Sequence, residues 1–287
     1  MELRRVGAEG FGEVLPLLQK FRNPRMSTDD WHRMLFSYPW PSERRHGYGY
    51  YAGGKLVGFL GTIFSRRLLA GRLEDVCSFS SWIVDEAHRG TSVLMVRPLL
   101  ADLEGFTIVG FTPAPTTCNV FGRFGFRPFE TGRLLLPPPL SPRSAGRFRG
   151  TSLILDPEQI QGRLSGAEAE LFRDNAGCPR IHHVLLAEGT EQCYLVARLD
   201  RPHRIRAAEL LYIGNLGFFW EHRAMAHLAF LRESGALALL VDDRFAQGRR
   251  VGLARRLERV RVFRPSRPEI TPDLIDGLYS ELVTLQE

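Results

Sequence analysis

The chain is 287 residues long, about twice the usual length of one domain, and its 44% hydrophobic and 24% charged residues are globular proportions, which excludes a stapled mini-scaffold and wholesale disorder. The net charge is +6, yet Lys20 and Lys55 are the only lysines among 38 basic residues, and the excess is local: +4 over 1–135, +3 over 136–150 and −1 over 151–287. A charge this small does not name nucleic acid as the partner, whereas a first half that handles an anionic ligand fits it.

In chain order, Glu2 to Val6 reads as a strand and Phe11 to Phe21 as a helix. Ser27-Thr28-Asp29-Asp30 has the form of a capping box ahead of Trp31, Met34 and Leu35, whose spacing gives a helix one apolar face. Tyr48 to Ala52 and Leu56 to Phe64 form a hairpin across Gly53-Gly54-Lys55. The nearby Gly47-Tyr48-Gly49 is therefore hairpin chemistry and not a dinucleotide loop, because no helix follows it. Val76 to Val84 reads as a strand, Ser92 to Leu103 as a helix, Phe106 to Phe111 as a strand, Thr116 to Phe124 as a short helix ended by Gly125, and Phe126 to Leu136 as a strand.

Pro137-Pro138-Pro139 and the Arg/Gly stretch after it cannot feed a sheet ladder, so a linker is expected over 136–150, between a first domain at 1–135 and a second at 151–287. The second half has the same rhythm. A helix opens at Ser165 and stops near Asn175; His183 to Ala187, Gln192 to Leu199 and Arg206 to Ile213 are strands; Phe218 to Glu233 is a helix; Ala236 to Val241 and Val251 to Phe263 are strands. Thr271 with Pro272 opens a last helix. The expected fold class is α/β (mixed α+β), two domains in tandem, each a mixed central sheet flanked by helices.

Residues 76 to 126 are the most specific. The apolar strand Ser81-Trp82-Ile83-Val84 runs into Asp85-Glu86-Ala87-His88-Arg89-Gly90-Thr91-Ser92 and then into a helix carrying Val93, Val96, Leu99 and Leu100. A strand, a turn with Arg and Gly, and an uncapped helix start offer an anion both backbone N–H groups and the positive end of a helix dipole. The order of elements resembles the GNAT superfamily of N-acyltransferases: Arg89 to Leu94 is similar to its Q/R-x-x-G-x-G/A pyrophosphate loop, and Asn119 to Phe126 to its N-x-x-x-x-x-G-F signature.

The resemblance covers about residues 1–135 and implies transfer of an acyl group from acetyl-CoA or another acyl-CoA to an amine of a small molecule or peptide. It assigns the pantetheine and thioester to Trp82, Ile83 and Val84, the diphosphate to Arg89, Gly90, Thr91, Ser92 and Val93, and further cofactor contacts to Asn119 and Phe121. Glu74 and Asp75, just before the central strand, are the candidate bases, and Ser81 and Cys118 the candidate acids. Phe121 holds the position where many members place the tyrosine that protonates the thiolate, and it has no proton to give. Ser92 and Leu94 stand where the loop's two small residues are expected. An inactive acyl-CoA-binding or interaction protein is the alternative, and an aminoacyl transfer protein that draws on charged tRNA is the third reading. The order of the second half also resembles this fold, with Gly214-Asn215-Leu216-Gly217 in the place of the loop but without its arginine.

Other constellations read as structure. Cys77, Cys118, Cys178 and Cys193 share no C-x-x-C spacing, and Glu221, His222 and His227 lack the i,i+4 relation of helical zinc ligands, so no metal and no disulfide framework are expected. Asp242-Asp243-Arg244 reads as a polar turn. The arginines from Arg249 to Arg267 alternate with Val251, Leu253, Leu257, Val260 and Val262 as strands with one wet face, without the aromatics of a single-strand platform. No apolar run reaches the ~20 residues of a membrane span. A cytoplasmic setting without membrane or nucleic-acid partners is expected, with a homodimer left open.

Overall fold

A computed structural model describes residues 2–24, 26–43, 45–138 and 150–284; most of the proline-rich segment, 139–149, lies outside the described residues. The chain packs as two compact units. Unit 1 comprises Met1–Phe129, Val260–Ile275 and Tyr279–Glu287, and unit 2 comprises Glu130–Arg259 and Asp276–Leu278.

Unit 1 begins with β1 (Glu2–Val6), α1 (Phe11–Leu18) and α2 (Thr28–Phe36). The capping box that opens α2 is formed, with the Asp30 N–H donating to Ser27 Oγ at 3.2 Å and the Ser27 N–H donating to Asp30 Oδ2 at 3.0 Å. The hairpin strands β2 (Gly47–Ala52) and β3 (Lys55–Leu69) follow, then β4 (Arg72–Val84), α3 (Val96–Asp102), β5 (Thr107–Gly110) and α4 (Pro115–Gly122). β6 (Arg127–Leu136) starts in this unit and continues in the other.

The strands of unit 1 run in the order β1-β2-β3-β4-β5, joined by β12 (Arg255–Arg264). Neighbours are antiparallel except β4 and β5, which are parallel, and β12 enters through Val262 to Arg264 beside β5. Ile63 and Phe64 are adjacent on β3 and so point to opposite faces. Ile63 packs with Val14, Leu17, Leu18 and Leu35 of α1 and α2. Phe64 packs with Leu99, Ile108 and Phe121 on the side of α3 and α4. Both faces are thus covered, and each fully buried large side chain stabilises by about 1.5–3 kcal/mol.

In unit 2 the order is β6, β11 (Ala238–Asp242), β10 (Ala207–Ile213), β9 (Glu191–Asp200), β8 (Ile181–Glu188) and β7 (Ser152–Ile154). Again one neighbouring pair is parallel, β10 with β11, while the others are antiparallel. The helices are α5 (Pro157–Arg163), α6 (Gly166–Asn175), α7 (Leu216–Glu221) and α8 (Arg223–Ser234). The buried network Arg198–Glu209–Arg133–Asp200 joins β9, β10 and β6, with Glu209 Oε2 accepting from Arg198 Nε at 2.8 Å and Oε1 from Arg133 Nη1 at 3.0 Å.

Several elements differ from the sequence reading. β3 and β4 are longer than expected because they continue to a tight turn at Ala70-Gly71, both at positive φ, so Glu74 and Asp75 lie inside β4 and not ahead of it. Residues 86 to 95 form a ten-residue 3₁₀ helix and α3 starts only at Val96, so no α-helix opens at Ser92. The helix expected over Phe218 to Glu233 breaks at His222, whose ring stacks on Phe218 at 4.0 Å and whose Nδ1 lies 3.1 Å from Thr151 Oγ1. β7 and α5 stand where the sequence reading has no element. The last helix expected at Thr271 is only a three-residue 3₁₀ turn, Pro272–Leu274, and the described chain ends in α9 (Glu281–Thr284). The arginine face of β12 is not wholly wet: Arg261 is buried, with its guanidinium carbon 5.4 Å from the centre of the Phe111 ring.

Candidate functional site

β4 pairs with parallel β5 over three residues only, Val76 with Thr107, Cys77 with Ile108 and Ser78 with Val109. Beyond Ser78 it stays paired with β3 up to Val84, so its other edge, from Phe79 to Val84, has no strand partner among the described residues. The register explains the parting. Gly61 faces Ser80 and Phe59 faces Ile83, so β4 carries one extra residue there, and Ser81 takes a left-handed φ of 57°. This is a β-bulge, which bends a strand and increases its twist. Gly61 permits the close approach: a Cβ there would lie 2.8 Å from Leu35 Cδ2 and 3.0 Å from the Ser80 carbonyl.

The bulge also sets the side chains. Phe79 and Trp82 are three residues apart and would point to opposite faces of a regular strand. The extra residue brings both against α4, where Trp82 stacks on Phe121 with centroids 5.3 Å apart and planes 9° apart. Phe121 stacks in turn on Phe126 at 4.8 Å and lies 5.6 Å from Phe79. Phe121 is buried, so the residue that cannot donate a proton serves as the centre of an aromatic wall. Trp82 Nε1 is buried in this wall with no partner among the described residues.

After β4 the chain is tied back by the Asp85 N–H, which donates to the Val57 carbonyl at 2.8 Å, and by an ion pair between Lys20 and Asp85. The 3₁₀ segment then begins without a side-chain cap. Its hydroxyls are committed to its own backbone: Thr91 Oγ1 donates to the His88 carbonyl at 3.0 Å and Ser92 Oγ to the Arg89 carbonyl at 2.7 Å. Arg89 is exposed and has no ion pair among the described residues, and a Cβ on Gly90 would meet nothing within 4 Å. Leu94 projects into solvent with 63% of its surface exposed and does not fold over the turn.

Trp82, Ile83, Val84, Arg89, Gly90, Thr91, Ser92, Val93 and Phe121 therefore fall on one continuous strand, bulge and turn with its aromatic backing. Asn119 is exposed on α4. Cys118 is half-buried on the same helix, and burial raises its thiol pKa, which disfavours a thiolate. Ser81 Oγ lies 3.2 Å from Ser80 Oγ at the bulge.

Glu74 and Asp75 do not join the group. Trp82 is eight residues further along β4, roughly 26 Å in an extended strand. Glu74 accepts from Arg267 Nε at 2.7 Å and Asp75 from Arg66 Nε at 2.8 Å, so both serve the far end of the strand as ion-pair partners.

One carboxylate at the parting point was missed in the sequence. Glu281 of α9 is fully buried and accepts from Ser78 Oγ at 3.0 Å and from Thr112 Oγ1 at 2.8 Å. Ser78 is the last β4 residue paired with β5, and Thr112 lies just beyond β5. The only sequence signal was a single acidic residue in the largely apolar stretch from Leu278 to Leu285.

Among the described residues no His/Cys/Asp/Glu cluster has the form of a metal site, and no helix is long and apolar enough to cross a membrane. No protein-family model matches the chain, and no curated protein matches it in sequence. Solved structures do resemble it. A GCN5-related N-acetyltransferase from Anabaena variabilis superposes with a TM-score of 0.59 at 11% identity, covering 93% of this chain and 73% of that one. Another, from Kribbella flavida, gives 0.59 at 12% identity, covering 92% and 70%. A putative acetyltransferase from Pyrococcus horikoshii gives 0.54 at 13% identity and covers 97% and 95%. At such identities the likeness concerns architecture, and with the parted parallel strands it leads to one conclusion: the chain has the fold of the GCN5-related N-acetyltransferases.

Proposed function

We propose that the protein is an N-acyltransferase that moves an acyl group from acyl-CoA to an amine of a small molecule or peptide, with the donor held by unit 1. The observation that carries this reading is the unpartnered edge of β4 from Phe79 to Val84, which ends at an uncapped turn bearing an uncommitted arginine. An open strand edge offers alternating N–H and C=O groups to an extended chain, and the pantetheine arm is such a chain with two amides. Trp82 to Val84 would align it. Arg89 and the N–H groups of the turn as far as Val93 would hold the diphosphate, Arg89 by charge and Gly90 by leaving room. Acyl-CoA supplies an activated thioester carbonyl, and the wall of Trp82, Phe121 and Phe126 keeps water from it.

The similar strand order of the two units supports reading them as tandem copies of one fold, of which only the first carries the donor. Four cysteines without disulfides fit a reducing, cytoplasmic setting. The test is calorimetric titration with acetyl-CoA, followed by thiol release in the presence of a broad panel of amines. Saturable binding with amine-dependent thiol release is expected. Absence of binding contradicts the reading, and binding without turnover across the panel favours a non-catalytic acyl-CoA-binding protein.

A further inference from the structure

Cys77 and Phe79 of β4 both pack in the core on the α3 and α4 side of the unit 1 sheet, so Ser78 between them points to the α1 and α2 side. The hydroxyl of Ser78 meets the Glu281 carboxylate there, and the same carboxylate takes the hydroxyl of Thr112 on its other oxygen. Glu281 thereby bridges the two strands at the level where they separate. Its helix is fixed in place: Tyr279 holds a left-handed φ of 56°, packs against Trp40 at 5.5 Å and lies under the Arg67 guanidinium at 4.9 Å, and the Leu282 N–H donates to Ser280 Oγ at 3.2 Å. Glu281 itself is sealed from solvent, whereas Thr112 is partly exposed. A proton can reach the carboxylate from outside through the Thr112 hydroxyl.

We propose that Thr112 and Glu281 form the proton relay that deprotonates the acceptor amine, an inference that rests on the acyltransferase reading above. An acceptor ammonium beside Thr112 gives one proton to Thr112 Oγ1 while the hydroxyl proton passes to Glu281 Oε1. The nitrogen lone pair then forms the C–N bond at the thioester carbonyl carbon. The C–S bond breaks with its electron pair on sulfur, and the second proton passes from nitrogen to that sulfur, so the product is an amide and a free thiol. Glu281 returns the first proton to water through Thr112. The scheme uses no separate acid, in keeping with Phe121 at the wall. Thr112 is the catalytic residue, and Glu281, acting through it, is the positioning residue.

The test compares two acceptors, benzylamine, an ammonium ion at neutral pH, and hydroxylamine, which is neutral there and needs no deprotonation before attack. Wild type is expected to bind acetyl-CoA in calorimetry and to transfer to both. In T112V and E281Q the acetyl-CoA affinity is expected to stay at the wild-type value, transfer to benzylamine to fall about 100-fold or more, and transfer to hydroxylamine to change by only a few-fold. T112S is expected to restore transfer to benzylamine. Equal losses for both amines, or no loss for benzylamine, overturn the relay while leaving the acyltransferase reading intact. A wild type that does not bind acetyl-CoA, or that binds it and transfers to no amine of the broad panel, overturns that reading and the relay with it. Should E281Q fail to fold, the T112V and T112S pair at the partly exposed hydroxyl decides the matter alone.

Discussion

Units 1 and 2 share a strand plan and differ at the turn that follows the parted strand. In unit 1, β4 leaves β5 after Ser78 and bulges at Ser81; in unit 2, β10 leaves β11 after Glu209 and shifts register between Leu210 and Tyr212. The turn after β4 has no side-chain cap and carries an uncommitted Arg89. The turn after β10 is closed from within and from α6: Asn215 Oδ1 accepts from the Phe218 N–H at 3.0 Å, and Glu168 of α6 crowds Gly214 so closely that a Cβ there would collide with its carboxylate. A capped, acid-flanked helix start repels the ligand that an uncapped, arginine-bearing one attracts. The two turns thus differ in capping and charge although the strand orders match.

If the parting point of unit 2 is structural, its charges must matter to stability and not to the donor. Glu209→Ala removes the buried carboxylate that accepts from both Arg198 and Arg133, and a loss of about 3–5 kcal/mol in urea unfolding is expected, with no change in the acetyl-CoA affinity of the folded protein. Phe121→Ala in unit 1 empties the middle of an aromatic stack; a loss of about 3–4 kcal/mol is expected, this time with weakened donor binding. A Phe121→Ala protein that binds acetyl-CoA like wild type breaks the assignment of that wall to the donor.

Acid separates the units next. Burial lowers the pKa of His183 to about 4 and that of His227 to about 3, both in unit 2. Both take up protons more readily when unfolded, so their burial destabilises the fold progressively as pH falls below the ordinary histidine value of about 6.5, by at most about 3 kcal/mol for His183 and about 5 kcal/mol for His227. In unit 1 burial lowers His46 in the same sense, while Asp102 works the other way: hydrogen bonds from Arg5 and Tyr48 and the nearby Arg45 hold it at about 2, and its contribution persists until pH falls through that value. Amide exchange between pH 6 and pH 4, a window set by those shifts, should therefore open unit 2 first, and His227→Leu should flatten its pH dependence. Unit 1 opening first would contradict this. Smallest, Ser27→Ala should cost unit 1 about 1 kcal/mol through the lost capping box, with the midpoint of unit 2 unmoved.

Local chemistry was readable in the sequence and long-range pairing was not. The Ser27 and Asp30 capping box, the turn at Gly53-Gly54, the Gly125 stop at positive φ and the turn at Arg89 all rest on residues within a few positions of one another. By contrast, Leu136 of β6 pairs with Leu239 of β11 and Val262 of β12 pairs with Gly110 of β5, and no local propensity encodes pairings so distant along the chain. Glu281 meets Ser78 across 203 positions and Thr112 across 169, so alone it reads as an ordinary surface carboxylate near a chain end. Glu74 and Asp75 show the complementary effect. Charges near a strand start look available until the fold supplies Arg267 and Arg66.

The central claim, that one of two similar turns holds the donor, is tested most directly by titrating acetyl-CoA into a matched pair of variants that each add negative charge to one turn. Arg89→Glu should weaken binding about tenfold or more, since it replaces the cation expected at the diphosphate. Asn215→Asp keeps a helix cap and should leave the affinity unchanged. The account is contradicted if Asn215→Asp weakens binding while Arg89→Glu does not.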